Sequence, residues 1–441
     1  MTQDKISVLD GRPTANAKFS NDQQRIINFF FRATVIGVLA AMLGIILYYV
    51  YALASLSNGS HAFDWLLGIF SDFVTIMHSS LLDRPYVTGG ASYPPLAIAI
   101  LYPFALICKN VFAQYNDPTL TVDELTSKVV RHAEFWVASV LFFAICTALI
   151  IFCIVKIYRL DFKSSVKIGS VIIFSDPFVY AIMRGNTIYF ALVFLLFFML
   201  LYNSPNAFLQ EISYICLALA GLIKIYPLFF GVFLLRNKKI FASVRVALYF
   251  FIGSFLSFFI YSAGLGDFSF FINNLGSFAT DSHQLLSGTN LSLTSVMCKI
   301  FEWIYPSSSS GTLFSVLNIT VLLIVFCIAT VLAIVTRSTL ARSIIASAVL
   351  ILIPSVSYFY VLIFAIIPFM EFIKEYDNIN KKKRILYSVL YFFIFFTLSI
   401  LPKYFILHSV AIFVMFITEC RDIIKKEVLP YLALRKEKKK I

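Results

Sequence analysis

FFFRATVIGVLAAMLGIILYYVYALA, Phe29 to Ala54, carries a single charge, Arg32, in 26 residues. A helix rises about 1.5 Å per residue, so this run is long enough to cross a hydrocarbon core about 30 Å thick. The rest of the chain is of the same kind. Of 441 residues, 60% are hydrophobic and 13% charged, and the mean hydropathy is +0.87. A soluble domain carries roughly 25% charged residues, so lipid rather than water must solvate most of this surface. Transmembrane barrels alternate apolar and polar residues with period two, and no such alternation is seen. The composition predicts an all-α polytopic membrane protein, with about 10–12 transmembrane helices by hydropathy.

The net charge of +13 invites a nucleic-acid reading, but the placement of the charges explains it otherwise. A polar tail, 1–28, precedes the first run and is too long for a cleavable signal peptide. Residues 55–133 then form one long outer loop. Within it PPLAIAILYPFALICKNVF is apolar but broken at Pro103, and reads as a helix lying in or dipping into the interface. Further spans are predicted near 134–157, 166–180, 187–203, 241–263, 313–335, 342–356, 358–375, 384–401 and 404–419. Residues 208–239 read as two short helices broken at Lys224–Pro227, because proline ends a helix and a mid-bilayer lysine is costly. Residues 264–312 form a second outer loop, and 420–441 a basic tail. In this scheme 28 of the 36 Lys and Arg residues lie on cytoplasmic segments or their edges. That is the positive-inside asymmetry. It puts both termini in the cytoplasm of a multi-pass plasma (inner) membrane protein, and it leaves no role for nucleic acid.

Eight bases fall on the other side: Arg84, Lys109, Lys128, Arg131, Arg184, Lys224, Lys299 and Lys403. A basic group kept outside, against the rule, is a candidate anion ligand. The first outer loop also holds SDFVTIMHSSLLDRPYVTGGASYPPL, Ser71 to Leu96, with Asp72, Asp83, Arg84 and His78 close together. There is no Walker loop, GxGxxG, GxSxG or HExxH. Nucleotide-driven transport and common hydrolase chemistry have no support. Seven cysteines stand singly, without zinc spacing or a disulfide framework.

Five landmarks occur in order. Asp72-Phe73 is followed by Tyr93-Pro94-Pro95. RGNTIYF begins at Arg184 and contains Asn186. IKIYPLFFGVFLLRNKK contains Lys224. GTNLSLTSVMCKI contains Asn290 and Lys299. PSVSYFYVL carries Tyr358 and Tyr360. Together they resemble the GT-C class of membrane glycosyltransferases, and more narrowly the polyprenyl-phosphate-sugar transferases of glycosyltransferase family 87, usually mannosyltransferases. The resemblance covers about residues 30–375. In the last landmark Tyr358 and Tyr360 stand where the family usually has Trp and His.

The resemblance implies a GT-C-like helical domain, 29–419. It implies transfer of a hexose from a polyprenyl-phosphate sugar to a hydroxyl of a cell-surface glycan or glycolipid, with the active site on the outer face. A carboxylate must take the acceptor proton, and Asp72 matches the family position, with Asp64 and Asp83 as rivals. One base with direct displacement would invert the anomeric centre. The lipid phosphate leaves with negative charge, which Lys, Arg or a metal can stabilise. Lys224 is the first choice, then Arg184, with Lys299 weaker. Asn186, Asn290, Tyr93 and Tyr360 complete the candidate substrate-binding set. Tyr93-Pro94-Pro95 also shapes a helix entry. No metal-ligand set and no cofactor is expected, although a divalent ion could share the phosphate role. The rival reading is a transporter, flippase or polymerase of a lipid-linked glycan. A transporter would call for paired broken helices and charges in mid-span.

Overall fold

The computed structural model describes residues 19–54, 69–115, 117, 119–304, 312–396 and 405–438. Helices are their regular structure; no strand occurs among them, and one isolated antiparallel bridge joins Asn290 to Tyr358. This is the all-α polytopic class that composition predicts. Asp64 and Lys403 lie outside the described residues.

The first helix, α1, runs Asn21–Ala54, eight residues before the apolar run begins. Ser20 starts it. The Ser20 hydroxyl accepts from Gln23 N–H at 3.1 Å, and the Gln23 side chain accepts from Ser20 N–H at 2.8 Å. That reciprocal pair is a capping box.

The segment expected as the first outer loop folds, where described, into short helices: α2 (Ser71–Ser80), α3 (Pro95–Ala99), α4 (Tyr102–Ile107), α5 (Lys109–Gln114) and α6 (Val122–Val129). Pro103 falls in the first turn of α4, where a missing N–H costs nothing. The predicted interfacial helix is therefore bent rather than continuous.

Next come α7 (Ala133–Tyr158), α8 (Phe162–Ile173), α9 (Asp176–Arg184), α10 (Ile188–Leu201) and α11 (Ala207–Ile223). The chain breaks at Lys224, whose backbone is extended. A 3-10 turn, Tyr226–Gly231, and α12, Val232–Arg236, follow. Then α13 (Ile240–Leu256), α14 (Phe268–Thr280), α15 (Ser282–Leu286), α16 (Leu293–Ile304) and α17 (Thr312–Val335) lead to α18 (Thr339–Leu352). A 3-10 segment Phe359–Ala365, α19 (Ile366–Glu375), α20 (Lys381–Phe396), α21 (Phe405–Ile423) and α22 (Leu429–Lys438) complete the order.

Four described stretches are long and apolar enough to cross a membrane: Asn21–Leu43, Ala133–Tyr158, Ile240–Ile260 and Phe314–Val335. The α8–α9 pair makes a fifth if its 57° bend is counted as one broken span. That is fewer than the hydropathy count. The reason is length: α10, with 14 residues, reaches only about 21 Å at 1.5 Å per residue.

Burial sorts the helices further. Every residue from Leu340 to Leu352 and from Phe359 to Ile373 is buried. A segment apolar all round belongs inside, so α18 and α19 form the protein core, not its lipid-facing wall. α10 packs between α7 and α11. Arg342, buried on α18, donates to the carbonyls of Ala333 (3.0 Å) and Thr336 (2.5 Å). It thereby satisfies open carbonyls at the end of α17.

Residues 84–91 are tied to residues 267–274. Arg84 pairs with the buried Asp267 at 2.5 Å. Asn274 on α14 donates to the carbonyls of Tyr86 (2.9 Å) and Ala91 (3.1 Å). Arg84, set against the charge rule in the sequence, therefore has a structural partner.

Candidate active site

The site forms where α2 meets the end of α9. Phe70 takes a left-handed conformation, φ 68°, and its N–H donates to Met183 O at 2.5 Å. Gly185 ends α9, also left-handed at φ +67°. A Cβ there would lie 2.2 Å from Phe73 Cβ. Only glycine combines that backbone with that approach. The result is that Arg184 and Asn186, on either side of Gly185, are pressed onto Asp72 in the first turn of α2.

Arg184 Nη2 is 2.5 Å from Asp72 Oδ1. Asn186 Nδ2 is 2.8 Å from Asp72 Oδ2, and also reaches Tyr93 Oη at 3.4 Å. Asn186 is fully buried, and its Oδ1 accepts from Ile188 N–H at 3.0 Å. That last bond fixes the amide so that its NH2 faces the carboxylate. An aspartate could not serve here, since it has no donor. Both Asp72 oxygens are therefore held, but a carboxylate has about four lone-pair sites. The side chain keeps 11% of its surface exposed, so a further donor can still approach.

Lys224 lies across from this pair. Its ammonium is 4.5 Å from the Tyr93 ring centre and 5.9 Å from that of Tyr360. Aromatic faces attract a cation without neutralising it. The lysine is half-buried and has no carboxylate partner among the described residues. Tyr358 and Tyr360 stand 5.9 Å apart, and Phe359 between them packs edge-on to Tyr180 of α9 at 5.2 Å. One place thus holds Asp72, Arg184, Asn186, Tyr93, Lys224 and Tyr360.

Asn290 and Lys299 serve elsewhere. The Asn290 side chain is consumed by backbone: Nδ2 donates to Gln284 O and Ser355 O, and Oδ1 accepts from Ser292 and Ser357 N–H. It stitches the 287–292 turn to 355–358, and so helps to place Tyr358 and Tyr360. Lys299 donates to Ser287 O at 3.1 Å, within its own 287–299 segment; burial lowers its pKa.

Asp83 is exposed, and its backbone carbonyl, not its carboxylate, is bonded, to Ser262. His78 packs against Phe112, and burial lowers its pKa. Among the described residues no group of three or more His, Cys, Asp or Glu is placed to hold a metal ion. Two residues escaped the sequence reading. Gly185 carries the signal of a glycine after a basic helix end. Tyr226, after Lys224, looks from sequence like any aromatic in an apolar run.

These helices and this polar cluster define a multi-pass membrane protein in which the Asp72 carboxylate, held by Arg184 and Asn186, lies within electrostatic reach of Lys224. A family description, Glycosyltransferase family 87, matches residues 92–357. The chain belongs to that family and is a membrane glycosyltransferase. The match begins at Ser92 and so includes Tyr93, Arg184, Asn186 and Lys224, while Asp72 lies 20 residues before it. No curated protein and no solved structure matches the chain.

Proposed function

We propose that the protein transfers a hexose, mannose or another, from a polyprenyl-phosphate sugar to a hydroxyl of a cell-surface glycan or glycolipid at the outer face of the plasma membrane. The observation that carries this reading is the pairing of an oriented carboxylate, Asp72, with a cation, Lys224, that makes no ion pair with a carboxylate among the described residues. The reaction needs those two groups on either side of an anomeric carbon. The acceptor oxygen attacks that carbon and gives its proton to Asp72. The bond from the anomeric carbon to the phosphate oxygen breaks, and its electron pair leaves with the polyprenyl phosphate. Lys224 meets the charge that develops there. Arg184 orients Asp72 through one nitrogen and keeps other N–H groups free for substrate oxygens. One base and a direct displacement make the transfer inverting.

The outer-face assignment rests on the split of basic residues and on the position of Asp72 in the first outer-loop segment. The test is sugar transfer by purified protein in nanodiscs, using radiolabelled polyprenyl-phosphate hexoses and a glycolipid acceptor. Labelled acceptor supports the reading; donor crossing the bilayer without transfer would replace it with a flippase.

A further inference from the structure

Tyr93 touches both halves of the site. Its ring centre is 4.5 Å from the Lys224 ammonium, and its hydroxyl is 3.4 Å from Asn186 Nδ2. It follows a turn, residues 84–91, that is bonded to itself. Val87 and Thr88 N–H donate to Arg84 O, and Gly89 and Ala91 N–H donate to Pro85 O, at 3.0–3.2 Å. A turn cross-bonded in this way moves as one piece, so whatever holds it also sets Tyr93.

The groups that hold it come from far along the chain. Asn274 Nδ2 donates to Tyr86 O and Ala91 O, 188 and 183 residues away. A serine has one donor and an aspartate none, so neither could hold both carbonyls. The buried Asp267 takes Arg84 at the start of the turn. Tyr86 is buried too. Its ring packs against Phe258 at 5.7 Å, Tyr261 at 6.3 Å and Phe271 at 5.4 Å. Its hydroxyl donates to Tyr93 O at 3.1 Å, and the Tyr261 hydroxyl donates to Pro95 O at 3.4 Å. α14 buries none of its own residues, so its weight lies in these bonds and not in the core. We propose that Tyr86 and Asn274 are positioning residues, acting through Tyr93 to keep the Lys224 ammonium and the Asn186 amide in register with Asp72. Their bonds go to Tyr93 and its turn, not to the reacting groups. The proposal rests on the roles given above to Asp72 and Lys224 and adds what holds them in place.

Three variants isolate the path. Tyr86→Phe keeps the ring and removes only the bond to Tyr93 O. Asn274→Asp keeps the shape and offers the two carbonyls no donor. Asn273→Asp, at an exposed position of α14, adds the same charge and is the control. Two readouts are taken in nanodiscs. One is transfer kinetics. The other is the rate at which an amine-reactive reagent labels Lys224, read by mass spectrometry against Lys299 of the same molecule. One hydrogen bond is lost in Tyr86→Phe, so kcat should fall about three- to tenfold. KM should barely change, because the misplaced contacts act on charge that develops in the transition state. Asn274→Asp should lose more. In both variants Lys224 labelling should shift as it does in Tyr93→Ala, with Lys299 constant, and Asn273→Asp should match wild type. Adding either substitution to Tyr93→Ala should cause no further loss, because the path runs through Tyr93. Additive losses on the Tyr93→Ala background, or Lys224 labelling that stays at the wild-type rate, would overturn the proposal and leave the two residues a role in stability alone. Wild-type protein that transfers no hexose, beside a shifted Lys224 rate in the variants, would instead refute the donor class and leave the positioning standing.

Discussion

Asp72 and Arg184 meet at 2.5 Å, and two roles for the carboxylate are compatible with that contact. It could be the base, or only the counter-ion of Arg184. The two roles separate by substitution. Asp72→Asn keeps the shape and the Asn186 bond but cannot take a proton. Loss of a general base typically costs about 10²–10⁴-fold, so transfer should fall at least a hundredfold in a folded protein. Asp83→Asn should be close to wild type, because only the Asp83 backbone is engaged. Exchanging the pair, Asp72→Arg with Arg184→Asp, should keep the ion pair and leave the enzyme inactive. Recovery of activity in that double variant would reduce Asp72 to a counter-ion. Lys224→Met keeps the apolar stem beneath the Tyr93 ring and removes the charge. A charge-assisted hydrogen bond is worth roughly 1.5–3 kcal/mol, or about 10- to 150-fold in kcat/KM. Donor kinetics in nanodiscs measure it.

At the scale of elements, the cluster depends on one close approach, α9 against α2 at Gly185. Gly185→Ala would put a methyl carbon 2.2 Å from Phe73 Cβ and hold alanine at φ +67°. The backbone strain alone is worth about 1–3 kcal/mol, before any clash. The variant should unfold at lower temperature, and transfer should fall with it, because Arg184 and Asn186 retreat from Asp72 together. Thermal unfolding in detergent and transfer assays check both. Phe73→Ala added to Gly185→Ala leaves both the clashing Cβ and the φ strain in place, so it should not recover the loss. The Lys224 break is the second element-scale feature. Pro227 in the first turn of the 3-10 segment ends regular helix there and leaves Lys224 extended, with its side chain turned toward Tyr93 and Tyr360.

For the whole molecule, the expected topology puts the segment around Val87 outside and the turn around Asn378 in the cytoplasm. Both positions are exposed. Cys327 is the exposed cysteine among the described residues, so labelling belongs in a Cys327→Ser background. A membrane-impermeant thiol reagent added to intact cells should modify Val87→Cys and spare Asn378→Cys. The reverse pattern would invert the scheme and place Asp72 on the cytoplasmic side. The Arg84–Asp267 pair joins the segment after α2 to the segment before α14.

Several features were legible in the chain alone. Hydrophobic run length and scarcity of charge determined the helical membrane class, since a bilayer leaves backbone groups no other way to be satisfied. Pro227 beside Lys224 marked the break in 208–239. The order of Asp72, Tyr93, Arg184, Asn186 and Lys224 marked the polar positions that converge. Hydropathy could not tell a lipid-facing helix from one enclosed by protein, because both are apolar. It therefore read 342–356 and 358–375 as spans, where α18 and α19 fill the interior. Nor could it foresee that Asn290 spends its side chain on backbone, or that Lys299 turns back to Ser287. Apart from Ser292, two residues on, the partners of Asn290 and Lys299 lie between 6 and 67 residues away in sequence, and only packing brings such partners within bonding distance.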